Sequence, residues 1–306
     1  MDQSPIDQDV RCLAYEPSRP SVILAGTRDG VFRSPDSGRS WTSSGMKGEC
    51  ITALAVSPHH PGTLYAGTKP AYLYRSDDGG KSWRELENFR RIPNRWWWFS
   101  PADPPGWQAY VIAITLSPTD PDLILAGVEL GAVVRSEDGG QTWSRHRPGG
   151  LRDCHDLIFH ARDGNWAYEA GGTGGGASCS RDGGHTWEKR KQGLAEHYGV
   201  ACAADPDRPE VWYIAVAPSP SRAHGSDPQI YLYRSTGGAG WQPIGWEDHP
   251  LKSAPASLLT PLDAPGQLYA ALRDGNIMYT SDYGDSWQKL PFNLGPIHTA
   301  ILCPQG

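Results

Sequence analysis

The residues best suited to acid–base chemistry stand where a repeated strand pattern is broken. Most inner-strand runs of this chain begin with apolar or small residues, but the fourth begins with the polar string RDCHD, which ends in His155 and Asp156. Glu129 stands in the second run of the third repeat, where the first two repeats carry threonine. An imidazole and a carboxylate can take a proton from a substrate or return one to it. We therefore expect His155, Asp156 and Glu129 to form a catalytic cluster.

Three further polar side chains are expected beside that cluster. Tyr198 opens the inner run of the fifth repeat, Arg273 follows the second run of the sixth, and Arg152 begins the RDCHD string. We expect these three to bind and orient a ligand. Histidine and carboxylates also suit Zn or Mn-type ions, but no HExxH, four-cysteine or P-loop pattern is present. We predict no metal site, and the sequence leaves the identity of any cofactor open.

A run of adjacent aromatics, Trp96, Trp97, Trp98 and Phe99, lies in a long proline-rich stretch between the second and third repeats. Successive side chains of an extended segment point to opposite sides, so at most two of these rings can face one ligand. The tryptophans, flanked by arginines, are expected to stack on a sugar ring or another planar ligand. The alternative is that this stretch folds back on the domain or packs against a protein partner.

The elements that must position these residues follow from an eight-residue pattern that recurs along the chain. Its good copies end at Trp41, Trp83, Trp143, Trp187 and Trp287. A worn copy, RSTGGAGW, ends at Trp241 and has lost its aspartate. The steps between these tryptophans are 42, 60, 44, 54 and 46 residues. A signature that returns mostly at steps in the forties indicates a repeat architecture.

Each copy of the pattern reads as a turn between two strands. Its aspartate can accept hydrogen bonds from backbone N–H groups just ahead of it, and its glycine can take the positive φ that a tight turn needs. Its tryptophan can bury a large ring beside the following strand. We therefore predict that these aspartates are structural and not catalytic.

Each repeat contains short runs of β-branched and aromatic residues separated by Pro, Gly and Asp clusters. Such runs predict strands joined by turns, and four strands repeated radially form a propeller blade. We predict an all-β fold, a single β-propeller domain over residues 1–306 with six four-stranded blades; seven blades is the alternative. The leftover run HTAILCP, residues 298–304, is predicted to be a seventh inner strand that ties the chain ends together.

Two insertions, residues 87–108 and 217–229, interrupt the repeats. Long proline-rich loops in a compact repeat domain are usually functional or mobile. The eight-residue turns join the third and fourth strands of a blade, so both insertions leave from the opposite face. We place the candidate site on that face, at the mouth of the central channel.

The pattern S-x-D-x-G-x-[ST]-W resembles the Asp-box, or BNR repeat, and its copies span nearly the whole chain. The resemblance extends to small bacterial BNR-repeat and glycosyl-hydrolase-like proteins and implies a sialidase-superfamily-like propeller. The string FRRIP at residues 89–93 is similar to the sialidase F/Y-R-I-P motif, but it follows the second box instead of preceding the first. A sialidase is therefore not expected. Xyloglucanases with this motif pair two propellers across a cleft, whereas this chain supplies one.

Charge and composition argue against some classes of binding partner. The net charge of −6 argues against nucleic acid. The N-terminal sequence MDQSPIDQDV has no basic and apolar leader pattern, and no run is long enough to span a bilayer. We therefore expect a cytoplasmic protein with no membrane partner. The 6 cysteines form no C-x-x-C pair and are expected to be buried free thiols.

The sequence favours a small-molecule or glycan site, worked by a His and carboxylate cluster of a hydrolase or lyase. The alternative is a non-catalytic propeller that docks a protein partner through residues 87–108.

Overall fold

The computed structural model describes residues 9–100, 108–172, 175–238, 240–245 and 250–304. Their strands form six antiparallel sheets. The chain separates into two compact units: unit 1 comprises residues 1–147 and 303–306, and unit 2 comprises residues 148–302. Each unit holds three of the sheets. The all-β, six-bladed propeller predicted from the repeats is confirmed as the fold class.

Unit 1 holds the first three blades, formed by β1–β4, β5–β8 and β9–β11. Its strands are β1 (Cys12–Glu16), β2 (Arg19–Thr27), β3 (Gly30–Ser34), β4 (Thr42–Ser43), β5 (Cys50–Val56), β6 (Leu64–Lys69), β7 (Leu73–Ser76), β8 (Arg84–Glu85), β9 (Val111–Leu116), β10 (Ile124–Val128) and β11 (Ala132–Ser136). Two 3-10 turns, Glu87–Arg91 and Arg95–Trp97, follow β8. The third sheet has three strands among the described residues, and its outer edge continues through one backbone bond, from Ser144 N–H to the Arg135 carbonyl at 2.8 Å.

Unit 2 holds the last three blades, formed by β12–β15, β16–β19 and β20–β23. Its strands are β12 (Cys154–Phe159), β13 (Ala167–Gly171), β14 (Gly176–Ser180), β15 (Glu188–Lys189), β16 (Tyr198–Ala204), β17 (Val211–Ala217), β18 (Tyr231–Thr236), β19 (Trp241–Ile244), β20 (Pro255–Leu259), β21 (Leu268–Leu272), β22 (Asn276–Thr280) and β23 (Gln288–Asn293). A five-residue helix, α1 (Pro220–His224), lies in the second insertion.

The core of each unit lies between its sheets. The second strands β10, β13 and β17 are buried along their whole length. Burying a Leu or Ile side chain there stabilises the fold by roughly 1.5–3 kcal/mol. Such strands read as nearly continuous apolar runs, and Glu169, in the middle of β13, is the charged-type exception within these three strands.

The Asp-box turn has the predicted geometry. In the first copy, Asp36 Oδ1 accepts hydrogen bonds from Ser34 Oγ and Ser40 N, both at 2.8 Å, and Asp36 Oδ2 accepts one from Ser40 Oγ at 2.6 Å. The bonds from Ser40 and Ser34 lower the pKa of Asp36 to about 2. The aspartates of the other four good copies make the same three contacts.

The box tryptophan of the second blade fastens that blade to the end of the first. Trp83 Nε1 donates to the Ser44 carbonyl at 2.8 Å. A side-chain carbon at Gly45, where φ is +90°, would lie 3.0 Å from the Trp83 ring. The glycine therefore both permits the backbone conformation and makes room for the ring.

Two sequence predictions change here. The predicted seventh inner strand at residues 298–304 is wrong, since none of these residues belongs to a strand. The Ala300 N–H instead bonds the Ser257 hydroxyl at 3.1 Å, a side-chain contact that cannot extend into a strand ladder. The 6 cysteines are free as expected, but only Cys154, Cys179 and Cys202 are buried. No helix of the described residues is long and apolar enough to cross a membrane.

Candidate functional site

The structure divides the predicted site residues between the two units. Glu129 and the three adjacent tryptophans lie in unit 1, and the remaining predicted residues, listed next, lie in unit 2. These are Arg152, His155, Asp156, Tyr198 and Arg273. Within unit 2, three of them join one row of contacts, to which a further residue, His224, contributes. We call His155, Tyr198, His224 and Arg273 the His–Tyr–His–Arg row.

A β-bulge aims the side chain of His155. Cys154 pairs with Gly171 and Asp156 with Ala170, so His155 is the extra residue in β12. A bulge bends the strand and redirects one side chain. The inner strands β5, β9, β16 and β20 carry the same irregularity at the same point.

The equivalent bulged residue of β5 shows the structural role that one ring nitrogen of His155 has. Thr52 Oγ donates to the Val111 carbonyl at the start of β9, at 2.6 Å. His155 Nδ1 lies 2.7 Å from the Gly199 carbonyl at the start of β16. In both blades the bulged side chain therefore ties one inner strand to the next. Threonine has then used its only donor, whereas histidine retains a second ring nitrogen.

That second nitrogen faces a carboxylate. His155 Nε2 lies 3.3 Å from Asp153 Oδ1, and both side chains are mostly buried. A carbonyl oxygen and a carboxylate oxygen only accept hydrogen bonds. The geometry therefore favours the doubly protonated, positively charged ring of His155, held by Asp153.

Tyr198 and His224 continue the row. The rings of His155 and Tyr198 are 4.8 Å apart and inclined by 56°. Tyr198 Oη lies 3.1 Å from His224 Nε2, and His224 Nδ1 lies 3.3 Å from Arg273 Nη1. Because arginine only donates, Nδ1 is the accepting nitrogen, and Nε2 carries the proton that is donated to Tyr198. The side chain of His224 reaches solvent, yet desolvation by the surrounding protein, and then the charges of Arg273 and His155, lower its pKa to about 4, so this ring is neutral at pH 7.

His224 was missed by the sequence analysis, although a local signal exists. Ser219 accepts a bond from Arg222 N–H and Pro220 takes the first helical position. Serine followed by proline is a helix-start signal, and it predicts a short helix that ends near His224. The helix carries this residue from the 217–229 insertion to the start of β16, where Tyr198 lies.

Arg273 ends the row. Its backbone is fixed by bonds from Arg273 N–H to the Ala254 carbonyl at 3.0 Å and from Ile297 N–H to its own carbonyl at 3.2 Å. The side chain reaches solvent, yet the surrounding protein lowers the pKa of Arg273 by burial. Within the described part of the chain, no carboxylate forms an ion pair with this guanidinium. Arg152 is also exposed.

Asp156 is turned away from this row. Its two carboxylate oxygens accept from Leu157 N–H at 3.0 Å and Cys202 N–H at 2.9 Å. Burial raises the pKa of Asp156 to about 6, against the effect of these backbone bonds. Nearby Glu169 is fully buried, accepts from Leu151 N–H at 2.8 Å, and has its pKa raised well above the usual range by burial. Catalysis by Asp156 stays a prediction, because both of its carboxylate oxygens accept from backbone N–H groups.

Glu129 lies in unit 1, directly after β10. It is 8% exposed, and its Oε1 accepts from Ser100 Oγ at 3.0 Å. Next to it, Trp98 packs so closely over the turn that a side-chain carbon at Gly131 would meet the indole at 3.0 Å. The Glu129 turn thus holds down the end of the aromatic loop, and catalysis by Glu129 stays a prediction.

The adjacent tryptophans divide into one that packs inward and two that are exposed. Trp98 lies 5.7 Å from the buried Phe89 ring. Trp96 and Trp97 are 74% and 56% exposed and stack on each other with ring centres 4.3 Å apart. Phe99 is 45% exposed. We call Trp96, Trp97 and Phe99 the aromatic patch.

The arginines around the aromatic patch are already engaged. Arg90 pairs with Glu85, and the Arg95 guanidinium donates to the Ala71 carbonyl and lies 5.2 Å from the Trp98 ring centre. These arginines therefore fasten the loop to unit 1. Across the described residues, no group of three or more His, Cys, Asp and Glu side chains is placed to hold a metal ion.

Comparison with known proteins identifies one of the repeats and finds sequence similarity over one stretch of the chain. Residues 74–85, which contain the second box, match the BNR/Asp-box repeat family. Over 82 residues, 24% of this chain, the sequence is 35% identical to a probable oligoxyloglucan-reducing end-specific xyloglucanase of Neosartorya fischeri, of which it covers 10%. The chain therefore corresponds to a small part of that protein.

Solved structures share the fold at low identity. The GH74 xyloglucanase from Xanthomonas campestris superposes with a TM-score of 0.70 and 19% identity, over 92% of this chain and 46% of that one. A YCF48 chain bound to D1 peptide superposes with a TM-score of 0.61 and 14% identity, over 93% of this chain and 82% of that one. One of these propellers acts on a glycan and the other binds a peptide, so the shared fold is compatible with both uses.

Proposed function

We propose, from the premise that this chain is a BNR/Asp-box repeat propeller, that it binds a glycan carrying an acidic sugar and acts on it through the His–Tyr–His–Arg row of unit 2. The observation that carries the proposal is the exposed guanidinium of Arg273, which is held by neutral His224 and has no carboxylate partner among the described residues. The similarity to xyloglucanases supports a carbohydrate ligand.

The acidic sugar follows from the charges of the row. Arg273 brings a positive charge with no carboxylate partner among the described residues, whereas the carboxylate of Asp153 is already engaged with His155. A guanidinium without a carboxylate partner gains most from a planar anion that accepts two of its hydrogen bonds, and a sugar carboxylate has that shape. On binding, the sugar carboxylate would replace His224 Nδ1 as the hydrogen-bond acceptor of the Arg273 guanidinium.

The chemistry that fits these residues is elimination. Arg273 would neutralise the sugar carboxylate, which makes the adjacent C–H more acidic. Tyr198 would first lose its phenol proton to solvent, and its phenolate oxygen, stabilised by the bond donated from His224 Nε2, would then remove the C–H proton. The C–H electrons form a C=C bond, the neighbouring C–O glycosidic bond breaks, and the leaving oxygen takes a proton from the tyrosine or from water. Hydrolysis by a pair of carboxylates fits less well, since Asp156 and Glu169 are held by backbone N–H groups.

The experiment is a calorimetric titration with acidic and neutral oligosaccharides, paired with an absorbance assay for the C=C bond of the product. Substituting Arg273→Gln should weaken binding of uronate oligosaccharides about 10- to 100-fold, since a charge-assisted hydrogen bond contributes about 1.5–3 kcal/mol. The matched control is Arg208→Gln, because Arg208 already pairs with Glu210 at 3.5 Å.

A second pair of variants separates structure from function at His155. Thr52 shows that threonine can make the inter-strand bond at a bulged position. His155→Thr should therefore fold better than His155→Ala, yet bind acidic oligosaccharides as weakly. If neutral xyloglucan oligosaccharides bind as tightly as acidic ones and Arg273→Gln changes neither, the proposal is wrong.

The second candidate function is protein docking through the aromatic patch. Its support is the exposure of Trp96 and Trp97, 74% and 56%, and the peptide bound by the YCF48 neighbour. The double variant Trp96→Ser and Trp97→Ser distinguishes the two functions. Loss of a protein partner with unchanged oligosaccharide affinity supports docking, whereas weaker oligosaccharide binding places the patch with the glycan.

A further inference from the structure

The worn Asp-box of the fifth blade lacks the side chains that fill this turn elsewhere. Counting from its serine, Gly237 stands at the aspartate position, Gly240 precedes the tryptophan, and the turn is one residue shorter. In the intact box of the blade before it, Ser180 Oγ donates to Asp182 Oδ1 and accepts from Gly184 N–H, both at 2.8 Å. The worn box has no aspartate to accept from its serine.

Ser235, the serine of the worn box, is left unsatisfied. It is 1% exposed, and its Oγ is buried without a hydrogen-bond partner. Buried hydroxyl groups nearly always have a partner, because an unmade bond forfeits the hydration that the group loses. A hydroxyl that remains unpaired beside an opening is therefore a reason to look for a ligand.

Ser235 borders a pocket of about 150 Å³. Water occupies about 30 Å³ per molecule in the liquid, so this space is large enough for a small anion with part of its hydration shell. The pocket is also lined by Lys189, Arg190 and Lys191, with Glu188 as the one carboxylate in the lining. Three cations against one carboxylate give the pocket a positive excess.

Arg190 is held at the pocket in a defined position. Its guanidinium donates to Glu188 Oε1 at 3.1 Å and to the Gly237 carbonyl at 3.3 Å. Gly237, Gly238 and Gly240 border the pocket too, and their N–H groups make no hydrogen bond to another residue that the structure describes. Backbone donors without side chains and a nearby guanidinium form a usual anion-binding arrangement.

We propose that this pocket binds a small carboxylate, which takes the place of the aspartate side chain that the worn box has lost. Ser235 Oγ donates to it as Ser180 donates to Asp182, and Arg190 supplies the charge. The site is independent of the proposed function, since none of the His–Tyr–His–Arg row lines it.

The test is an acetate titration of the whole chain at constant ionic strength in chloride, followed by NMR or calorimetry. Wild-type protein should give saturable binding, and Ser235→Ala and Arg190→Gln should bind acetate at least tenfold more weakly. The matched control is Ser180→Ala, which removes the same hydroxyl from an intact box and should leave the acetate Kd unchanged.

A folding readout accompanies the titration. Without acetate, Ser235→Ala should melt at or above the wild-type temperature, because it removes an unpaired hydroxyl; acetate should raise the melting temperature of wild type only. The proposal fails if wild type shows no saturable acetate binding or if Ser235→Ala binds acetate as well as wild type. Tighter binding of inorganic phosphate than of acetate would overturn the assignment to a carboxylate.

Discussion

The partly buried carboxyl of Asp156 makes the stability of unit 2 depend on pH, and Asp156→Asn should remove that dependence. Asp156 lies directly after His155 on β12, with both oxygens directed to backbone N–H groups. Burial raises its pKa from 3.8 to about 6. In the folded protein the carboxyl is therefore protonated below about pH 6, whereas in the unfolded chain it ionises near pH 3.8.

The magnitude follows from linkage between proton binding and folding. Between pH 3.8 and about 6 the folded state binds more protons than the unfolded state, so the free energy of unfolding falls as pH rises through this window. A difference of about two pKa units corresponds to roughly 3 kcal/mol at 1.36 kcal/mol per unit. Above the folded pKa this group causes no further change.

The assay is urea unfolding of wild type and Asp156→Asn at intervals from pH 4 to pH 7. The difference in unfolding free energy between the two proteins should change by roughly 3 kcal/mol across this range, with wild type losing stability relative to the variant as pH rises. Any constant offset from replacing an acceptor oxygen with an amide cancels in this comparison. Asp182→Asn is the control, because bonds from Thr186 and Ser180 outweigh burial and lower the pKa of Asp182, so its effect appears below pH 4. A difference that stays constant from pH 4 to pH 7 would refute the reasoning.

Three further predictions follow from the same contacts. Asp138→Ala should destabilise unit 1 by roughly 1–3 kcal/mol in urea unfolding, since bonds from Thr142 and Ser136 to its carboxylate are lost. These bonds outweigh burial and lower the pKa of Asp138, so the stability difference from wild type should shrink as pH falls below 3.8. An undiminished difference at pH 2 would contradict this prediction. Trp98→Ala should cost roughly 2 kcal/mol, because the half-buried ring packs on Phe89, whereas Trp96→Ala should change stability by less than about 0.5 kcal/mol; equal melting temperatures of the two variants would count against the inward packing of Trp98. Arg273→Gln should raise the pKa of His224 from about 4, because one of the charges that lowers it is removed, although burial, the larger cause, keeps it below 6.5. An NMR titration of the imidazole measures this pKa. An unchanged value would exclude the contact between Arg273 and His224.

The fold was predictable because most blades carry a sequence signature confined to eight consecutive residues. The serine, aspartate, glycine and tryptophan of a box lie within eight residues, and they bond mostly to one another, as Asp36 does with Ser34 and Ser40. A turn of this kind fixes the two strands beside it without help from distant residues. The failed seventh strand had no such turn, and apolar composition alone at residues 298–304 did not supply a ladder partner.

The site was only partly predictable, because a bulge decides which side chains face each other. One extra residue in a strand reverses the faces of the residues that follow. At this bulge His155 meets Tyr198 at 4.8 Å, whereas Asp156, the next residue, meets Cys202 N–H. His224 escaped prediction for a different reason, since its contact with Tyr198 spans 26 residues and depends on the helix inside an insertion.

The repeated bulge also indicates how a binding row can arise without disturbing the fold. The bond between neighbouring inner strands needs one donor at the bulged position, and Thr52 supplies it with a single hydroxyl. His155 supplies the same bond with Nδ1, so its Nε2, its charge and its ring face are additional to what the fold requires. Asp153, Tyr198 and, through it, His224 and Arg273 contact those additional features. The structural demand and the proposed chemical function therefore fall on opposite nitrogens of one imidazole, and substitutions that preserve the first while removing the second can separate them.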